Sequence, residues 1–346
     1  MNAPDTTRIQ FPFAETPGMG EAIEIADGVL WSRMPLWERL DHVNVYAFDE
    51  GDSWTVVDTG IDTPATREAW GRLLAGPMAG RPVTRLVVTH HHCDHLGLAG
   101  WFQRQGAELL TSRTSWLSGR MMQLDILERP TPEQLLFWTR AGLAPARVAA
   151  LAQERPFNHG EHVHPLPLGH RRLQAGDRLR MGGREWQVHM GDGHAPEHVT
   201  LWQQDGHLVV TGDHILPGIS ANIGVHAAEP LADPLAEWLL SCRHMADLAR
   251  PDQLALPGHK RPFIGLPHRL RQLMEGHHAG LDRLRDWLDQ PRRTVECFLP
   301  LFRREIEPEV ERLALVEAQA HLNHLMHAGE ARRELGEDGA WRWMRS

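Results

Sequence analysis

The chain has 346 residues, 42% apolar and 23% charged, with 36 Lys+Arg against 45 Asp+Glu and a formal net charge of -9. That length can bury a large core with a smaller second unit, and the composition excludes disordered, collagen-like and membrane-spanning classes. Residues 261–346 carry equal numbers of basic and acidic side chains, so the acid excess lies in the first 260 and disfavours a broad nucleic-acid groove there.

In chain order, residues 1–20 are rich in Pro and Gly and read as an irregular arm. The start, Met1 to Thr7, is polar and lacks a basic-then-apolar signal. The three scattered cysteines, Cys93, Cys242 and Cys297, make no disulfide framework, and no apolar run is long enough to span a bilayer. A cytoplasmic protein without a membrane partner is therefore expected. Strands are predicted at 22–25, 28–34, 42–48 and 53–59, separated by Asp27-Gly28 and by Asp49-Glu50-Gly51-Asp52. The last ends in Asp58, an aspartate where packing would favour an apolar residue. It is a poor helix cap, because Thr63-Pro64 opens the next helix, 64–74, with better chemistry.

The β-branched run 85–89 predicts a buried strand that ends in Thr89-His90-His91-His92-Cys93-Asp94-His95, with helical spacing over 96–105. His90 and His92 lie two apart in extended chain and point the same way, while His91 and Cys93 point the other way. Asp94 and His95 follow as the chain turns, toward a neighbouring point. The alternative is a surface loop merely rich in histidine. The spacing suits two adjacent metal ions better than one.

A strand at 107–111 is followed by helices predicted at 114–128, 131–142 and 145–155, then extended chain over 156–170. Thr131-Pro132 starts the second helix and Gly142 stops it. This block, about 113–170, reads as a helical cap. Its apolar residues, Trp116, Met121, Met122, Leu124, Leu136, Phe137 and Trp138, either line a pocket or form the helices' packing faces. Strands resume at 171–173, at 178–181 and 185–190 across Gly182-Gly183, and at 199–203 and 207–211. Between them stand Gly193-His194-Ala195-Pro196-Glu197-His198 and Thr211-Gly212-Asp213-His214. The segment 216–230 is irregular and offers Ser220, Asn222 and His226 as a rim. A helix at 234–248, a strand at 253–256 and the turn Pro257-Gly258-His259-Lys260 follow.

Taken together, H-x-H-x-D-H at 90–95, the turn at 193–198, Gly212-Asp213 and Gly258-His259 resemble the metallo-β-lactamase-fold superfamily over about 22–265, in its glyoxalase II-like or lactamase-B-like branch. Ala195 and Glu197 stand where that family has a small hydroxyl residue and a glycine. The resemblance implies an α/β fold, a four-layer αβ/βα sandwich carrying the helical insertion. It assigns His90, His92 and His194 to one metal, Asp94, His95 and His259 to a second, and Asp213 to both. Asp58 braces the metal loop, His198 is a buried structural histidine, and Asp94 doubles as catalytic residue. Nitrogen and oxygen donors without thiolate suit two zinc ions, with iron or manganese as alternatives. The chemistry implied is attack by a metal-bridging hydroxide, with the ions about 3.5 Å apart.

Beyond it, a long helix at 266–289 closes the catalytic domain, 1–290. In 291–346 Pro291 breaks the chain, Thr294 caps a short helix to 302, and 308–328 is a longer helix with Leu313, Val316, Ala320 and Leu325 on its apolar face. Gly329 stops it, and 330–335 with 340–344 predicts a hairpin. Helices followed by a hairpin are similar to the winged-helix-like C-terminal module of lactamase-B-like proteins. Glu309, Glu311 and Glu317 against Arg312 make the helix acidic, so packing, homodimer contact or pocket closure is expected of it, not nucleic-acid binding. The expected activity is hydrolysis of a small-molecule thioester, ester or lactone. The alternatives are a metal-dependent endoribonuclease and an iron persulfide dioxygenase-like enzyme.

Overall fold

The computed structural model describes residues 8–37, 40–204 and 206–346. Residues 1–7 of the expected arm lie outside the described residues. The first sheet runs β1 (Ala22–Ala26), β2 (Val29–Pro35), β3 (His42–Asp49), β4 (Trp54–Val57), β5 (Val83–Val87), β6 (Glu108–Thr111) and β7 (Arg171–Arg172), in that spatial order. Pairing is antiparallel up to β4 and parallel from β4 to β7. The second sheet contains β8 (Arg178–Met181), β9 (Arg184–Gly191), β10 (His198–Gln203), β11 (Leu208–Gly212), β12 (Leu254–Pro257) and β13 (Phe263–Ile264), adjacent in reverse order. The β8–β9 turn is Gly182-Gly183, both at positive φ (58° and 69°), as a two-residue hairpin requires.

Period-two patterning makes the layers. On β5 and the residue after it, Leu86 and Val88 face one cluster with Trp70, Leu73 and Phe102, while Val87 faces the other way. On β11, Leu208 and Val210 join Val87, Trp31, Phe48 and Trp186 between the sheets, while Val209 faces Leu235, Trp238 and Leu270. The sheets therefore stack face to face, with α1 (Pro64–Ala75) and a helical turn-and-helix pair, α2 (Cys93–Leu96) and α3 (Ala99–Arg104), on the first sheet's outer side. The second sheet's outer face is covered by α7 (Pro234–Leu248) and α8 (Leu266–Trp287). This is the expected four-layer αβ/βα sandwich. Among the described residues, no helix is long and apolar enough to cross a membrane.

The predicted helix at 96–105 is two pieces. Helical structure begins already at Cys93, so Asp94 and His95 sit in its first turn rather than before it. The break comes at Gly97, where a Cβ would lie 2.4 Å from the carbonyl oxygens of both Cys93 and Gly60. The insertion comprises α4 (Arg113–Leu124), α5 (Pro132–Ala141) and α6 (Pro145–Leu151), then irregular chain with a 3-10 turn at His159–His162. Thr131 makes a capping box with Gln134, and Gly142 ends α5 at φ 88°. Of its apolar residues, Met121, Leu124 and Leu136 are exposed, Phe137 and Trp138 pack on the tail, and Trp116 stacks on His170.

The tail contains a 3-10 turn at Thr294–Cys297, α9 (Phe298–Phe302), a 3-10 turn at Pro308–Val310, α10 (Glu311–His327) and the hairpin β14 (Ala331–Leu335) with β15 (Trp341–Arg345). Two expectations are corrected. Arg293, not Thr294, occupies the cap position; the Thr294 hydroxyl turns inward, donating to Gln319 Oε1 at 3.0 Å and accepting from the buried Trp343 indole at 3.1 Å. Leu313 is exposed, because it sits on the opposite side of α10 from Leu322 and Leu325. Leu281 and Leu284 of α8 share one apolar cluster with Cys297, Leu322 and Trp343, so the tail's core continues into the second sheet's helical layer. Trp343→Ala is expected to cost about 3–5 kcal/mol. In urea unfolding followed by fluorescence and circular dichroism, it should move a single transition to lower urea; a separately melting tail would contradict the shared core.

Candidate metal centre

The parallel strands and their neighbours all deliver polar residues at one end of the sandwich. Asp58 follows β4, His90 to His95 follow β5, His194 follows β9, Asp213 follows β11 and His259 follows β12. The two sheets are joined there by backbone bonds: Val199 N donates to Thr89 O, and Asn44 N to Gly258 O, both at 2.7 Å. Gly258 permits this closeness, since a Cβ would lie 2.1 Å from Asp213 Oδ1 and 2.7 Å from His95 Cε1.

All seven residues expected to hold metal come together. His90, His92 and His194 form one group of donors; Asp94, His95 and His259 form another; Asp213 joins His90 and His95 in a third. Within each, the donor atoms lie within 4.8 Å of one another. His95 Nε2 is 3.4 Å from Asp213 Oδ1 and 3.5 Å from Asp94 Oδ2. His259 Nε2 is 3.3 Å from Asp94 Oδ2 and 3.2 Å from Asp213 Oδ2. Tetrahedral zinc with bonds of about 2.0–2.1 Å has donor–donor edges of about 3.3 Å.

Hydrogen bonds fix which nitrogen of each ring faces the centre. The Asp58 carboxylate accepts from Thr89 N at 2.8 Å and from the Thr89 hydroxyl at 2.9 Å. With its proton so used, Thr89 Oγ1 accepts His90 Nδ1–H at 3.0 Å. His95 Nδ1–H donates to Asp58 at 2.8 Å, His194 Nδ1–H to Asn222 O at 2.8 Å and His259 Nδ1–H to His42 O at 2.8 Å. Each of these four rings is left with Nε2 facing inward, whereas His92 presents Nδ1, 2.9 Å from His90 Nε2. His95 Nε2, His194 Nε2 and Asp213 Oδ1 are buried and make no hydrogen bond. Such orphans are costly unless a cation takes them, so the donor set fits divalent metal.

The electrostatics agree. Burial and the crowding of neighbouring imidazoles hold His90 and His92 well below the usual histidine range, so they stay neutral. Burial alone would push Asp213 up, but His259 and His95 hold it well below the usual carboxylate range. Burial would also lower His259, yet Asp213 and Asp94 raise it to about 10. Two carboxylates within a buried ring of imidazoles form a pocket that favours positive charge.

The donors and Asp58 are legible in the sequence by their side chains. The carbonyls of His42 and Asn222 carry no side-chain signature, and the sequence offers Asn222 only as a rim residue. His198 is fully buried, stacked on His90 at 4.7 Å, and its Nε2 accepts from Asp213 N at 3.2 Å. Glu197 adopts φ 50°, the left-handed conformation a glycine would take there; its N–H donates to Asp192, and its carboxylate accepts from Thr114 N and Oγ1 at the start of α4. Cys93 Sγ is turned to His159 at 3.6 Å, and burial pushes its thiol well up.

An αβ/βα sandwich with histidine and aspartate donors gathered at its strand ends defines a class of metal-dependent hydrolases. Residues 39–259 match the family model described as Metallo-beta-lactamase superfamily, and 281–346 that described as Metallo-beta-lactamase-like, C-terminal domain. The chain belongs to the metallo-beta-lactamase superfamily. It is similar to a beta-lactamase domain protein from Burkholderia ambifaria, 36% identical with 99% of each chain covered and a TM-score of 0.89. A probable metallo-hydrolase of Bacillus subtilis is 25% identical over 88% of this chain and 94% of its own length. An acyl-coenzyme A thioesterase of Gallus gallus, MBLAC2, is 22% identical over 69% and 80%.

Two substitutions test the geometry. Asp58→Asn, which keeps the size and tolerates the positive φ, should weaken metal affinity by about 10–100-fold, read by competition with a chromophoric chelator; unchanged affinity would remove Asp58 from the centre. Gly258→Ala should drive Asp213 out of place and lower bound metal, measured by elemental analysis, with far-UV circular dichroism preserved.

Proposed function

We propose that the chain hydrolyses a small-molecule thioester, ester or lactone at this centre. The carrying observation is the convergence of the inward nitrogens of five imidazoles with the carboxylates of Asp94 and Asp213, four of the rings braced from behind. His90, His92 and His194 would hold one cation, Asp94, His95 and His259 a second, with Asp213 shared. Zinc is the proposed metal, since the donors are nitrogen and oxygen in tetrahedral-sized groups. Bound divalent cations supply Lewis acidity to a carbonyl oxygen and ease the deprotonation of water.

The chain's own residues do the rest. Burial would raise Asp94, but His95 and His259 keep its pKa below the usual value, so it is ionised and can orient an attacking water. Its side chain is 16% exposed against 9% for Asp213, which makes it the carboxylate that substrate and water reach. A thioester is favoured among acyl compounds by the likeness to a protein named as an acyl-coenzyme A thioesterase. Glu309 in the turn before α10 and Glu311 at its first position oppose RNA there.

A panel of acyl-CoA, other thioester, lactone and single-stranded RNA substrates tests this. Hydrolysis of an acyl compound is expected, abolished by chelator and reduced about 10²–10⁴-fold in Asp94→Ala. Turnover of RNA alone would reject the acyl reading, and turnover that survives Asp94→Ala would reject the site assignment.

A further inference from the structure

The segment after Asp213 reaches α7 without a strand of its own. Residues 219–225 have no sheet partner, yet Asn222 O is the acceptor that fixes His194. Something else must hold that carbonyl still. Three bonds to α10 do so. Asn222 Nδ2 donates to Glu317 Oε2 at 2.9 Å and to Leu313 O at 3.3 Å, and Val225 N donates to Val316 O at 3.0 Å. Gly224 lets the segment lie this close, since a Cβ there would be 2.8 Å from Val316 Cγ2.

A second path anchors the same helix turn. His321 Nδ1–H donates to Glu317 O at 2.8 Å, so His321 Nε2 accepts from His277 Nδ1–H at 3.0 Å, and His277 Nε2 accepts from the Ser220 hydroxyl at 3.2 Å. Burial pushes His277 to about 3 and His321 to about 4, so both are neutral at ordinary pH and the path is a fixed strut. Ser220 and Asn222 are thus pinned, two residues apart, to consecutive turns of the C-terminal helix.

We infer that Glu317 is a positioning residue for the metal centre: by holding Asn222 it fixes the carbonyl that orients His194, so the C-terminal module is part of the site's construction. This rests on the metal-centre reading above. The module's helix lies one side chain behind a metal ligand, and the insertion reinforces the contact, with Phe137 and Leu143 packed against Leu315 and Val316. The Asn222 carbonyl is an outer partner of the kind that raises ligand basicity and fixes the ring, and loss of such a partner weakens metal binding by about 10–100-fold.

The test uses the full chain, demetallated and titrated with zinc against a chromophoric chelator, with the absorption spectrum of the cobalt-substituted protein as a second readout. Glu317→Leu should weaken one of the bound zinc ions by about tenfold or more and alter the cobalt spectrum. Glu317→Gln keeps an acceptor oxygen for Asn222 and should restore both. Asn222→Ala should reproduce Glu317→Leu, and the double variant should be no worse than either, since both remove one interaction. Should Glu317→Leu fail to fold, Asn222→Ala carries the same expectation. Wild-type zinc affinity and spectrum in Glu317→Leu or, failing its folding, in Asn222→Ala would overturn the inference. A wild-type chain that takes up no metal would instead overturn the metal-centre reading on which it rests.

Discussion

The Asp58 carboxylate is the constraint from which the metal loop takes its shape. It sits at the end of β4 in left-handed backbone, φ 59°, a conformation an aspartate tolerates at a cost of about 1–3 kcal/mol. Its oxygens hold the backbone and hydroxyl of Thr89 and the Nδ1–H of His95. Through Thr89 it also sets the tautomer of His90. One buried anion therefore orients two ligand rings and ties β4 to the turn after β5. The parallel pairing of those strands brings their ends side by side, so Asp58 needs no other device to reach the loop.

The rest of the centre is built by the same logic at longer range. His194 and His259 are held by backbone carbonyls instead of carboxylates, and each carbonyl belongs to a segment remote in sequence. His42 O lies at the start of β3 in the first sheet, so His259 bridges the two sheets. Asn44 strengthens the bridge: its side chain donates to the carbonyls of Pro257 and Lys260, and the Tyr46 hydroxyl to Pro257 as well. Carboxylate-backed rings are more basic than carbonyl-backed ones, which grades the ligands around the centre.

The insertion and the tail are not independent attachments. Arg140 of α5 donates to Gly339 O in the tail's hairpin turn, and Arg147 of α6 pairs with Glu311 at the start of α10. Glu197, in the His194 turn, reaches the first residues of α4. The His194 turn, the insertion and the C-terminal helix thus close a ring of contacts around the site.

The strands, the helix starts at Thr63 and Thr131 and the stop at Gly142 were legible because each has a local cause: period-two apolar patterning, a side-chain cap, a glycine at positive φ. The seven donors were legible because histidine and aspartate at strand ends have few other uses, and their order matches a known pattern. Thr294 reads as a cap because a hydroxyl beside a helix start has that use locally, and its actual partners, Gln319 and Trp343, are brought to it only by the fold. The sequence by itself determined the layers, the donor residues and the class of chemistry, since these depend on side-chain type and short-range spacing. Only the tertiary structure decided which nitrogen of His95, His194 and His259 faces the centre, because that choice is made by oxygens tens to hundreds of residues away, two of them backbone carbonyls that every residue possesses. It alone also brought Glu317 behind His194, where the packing of α10 on a segment without strand partners makes the tail part of the site.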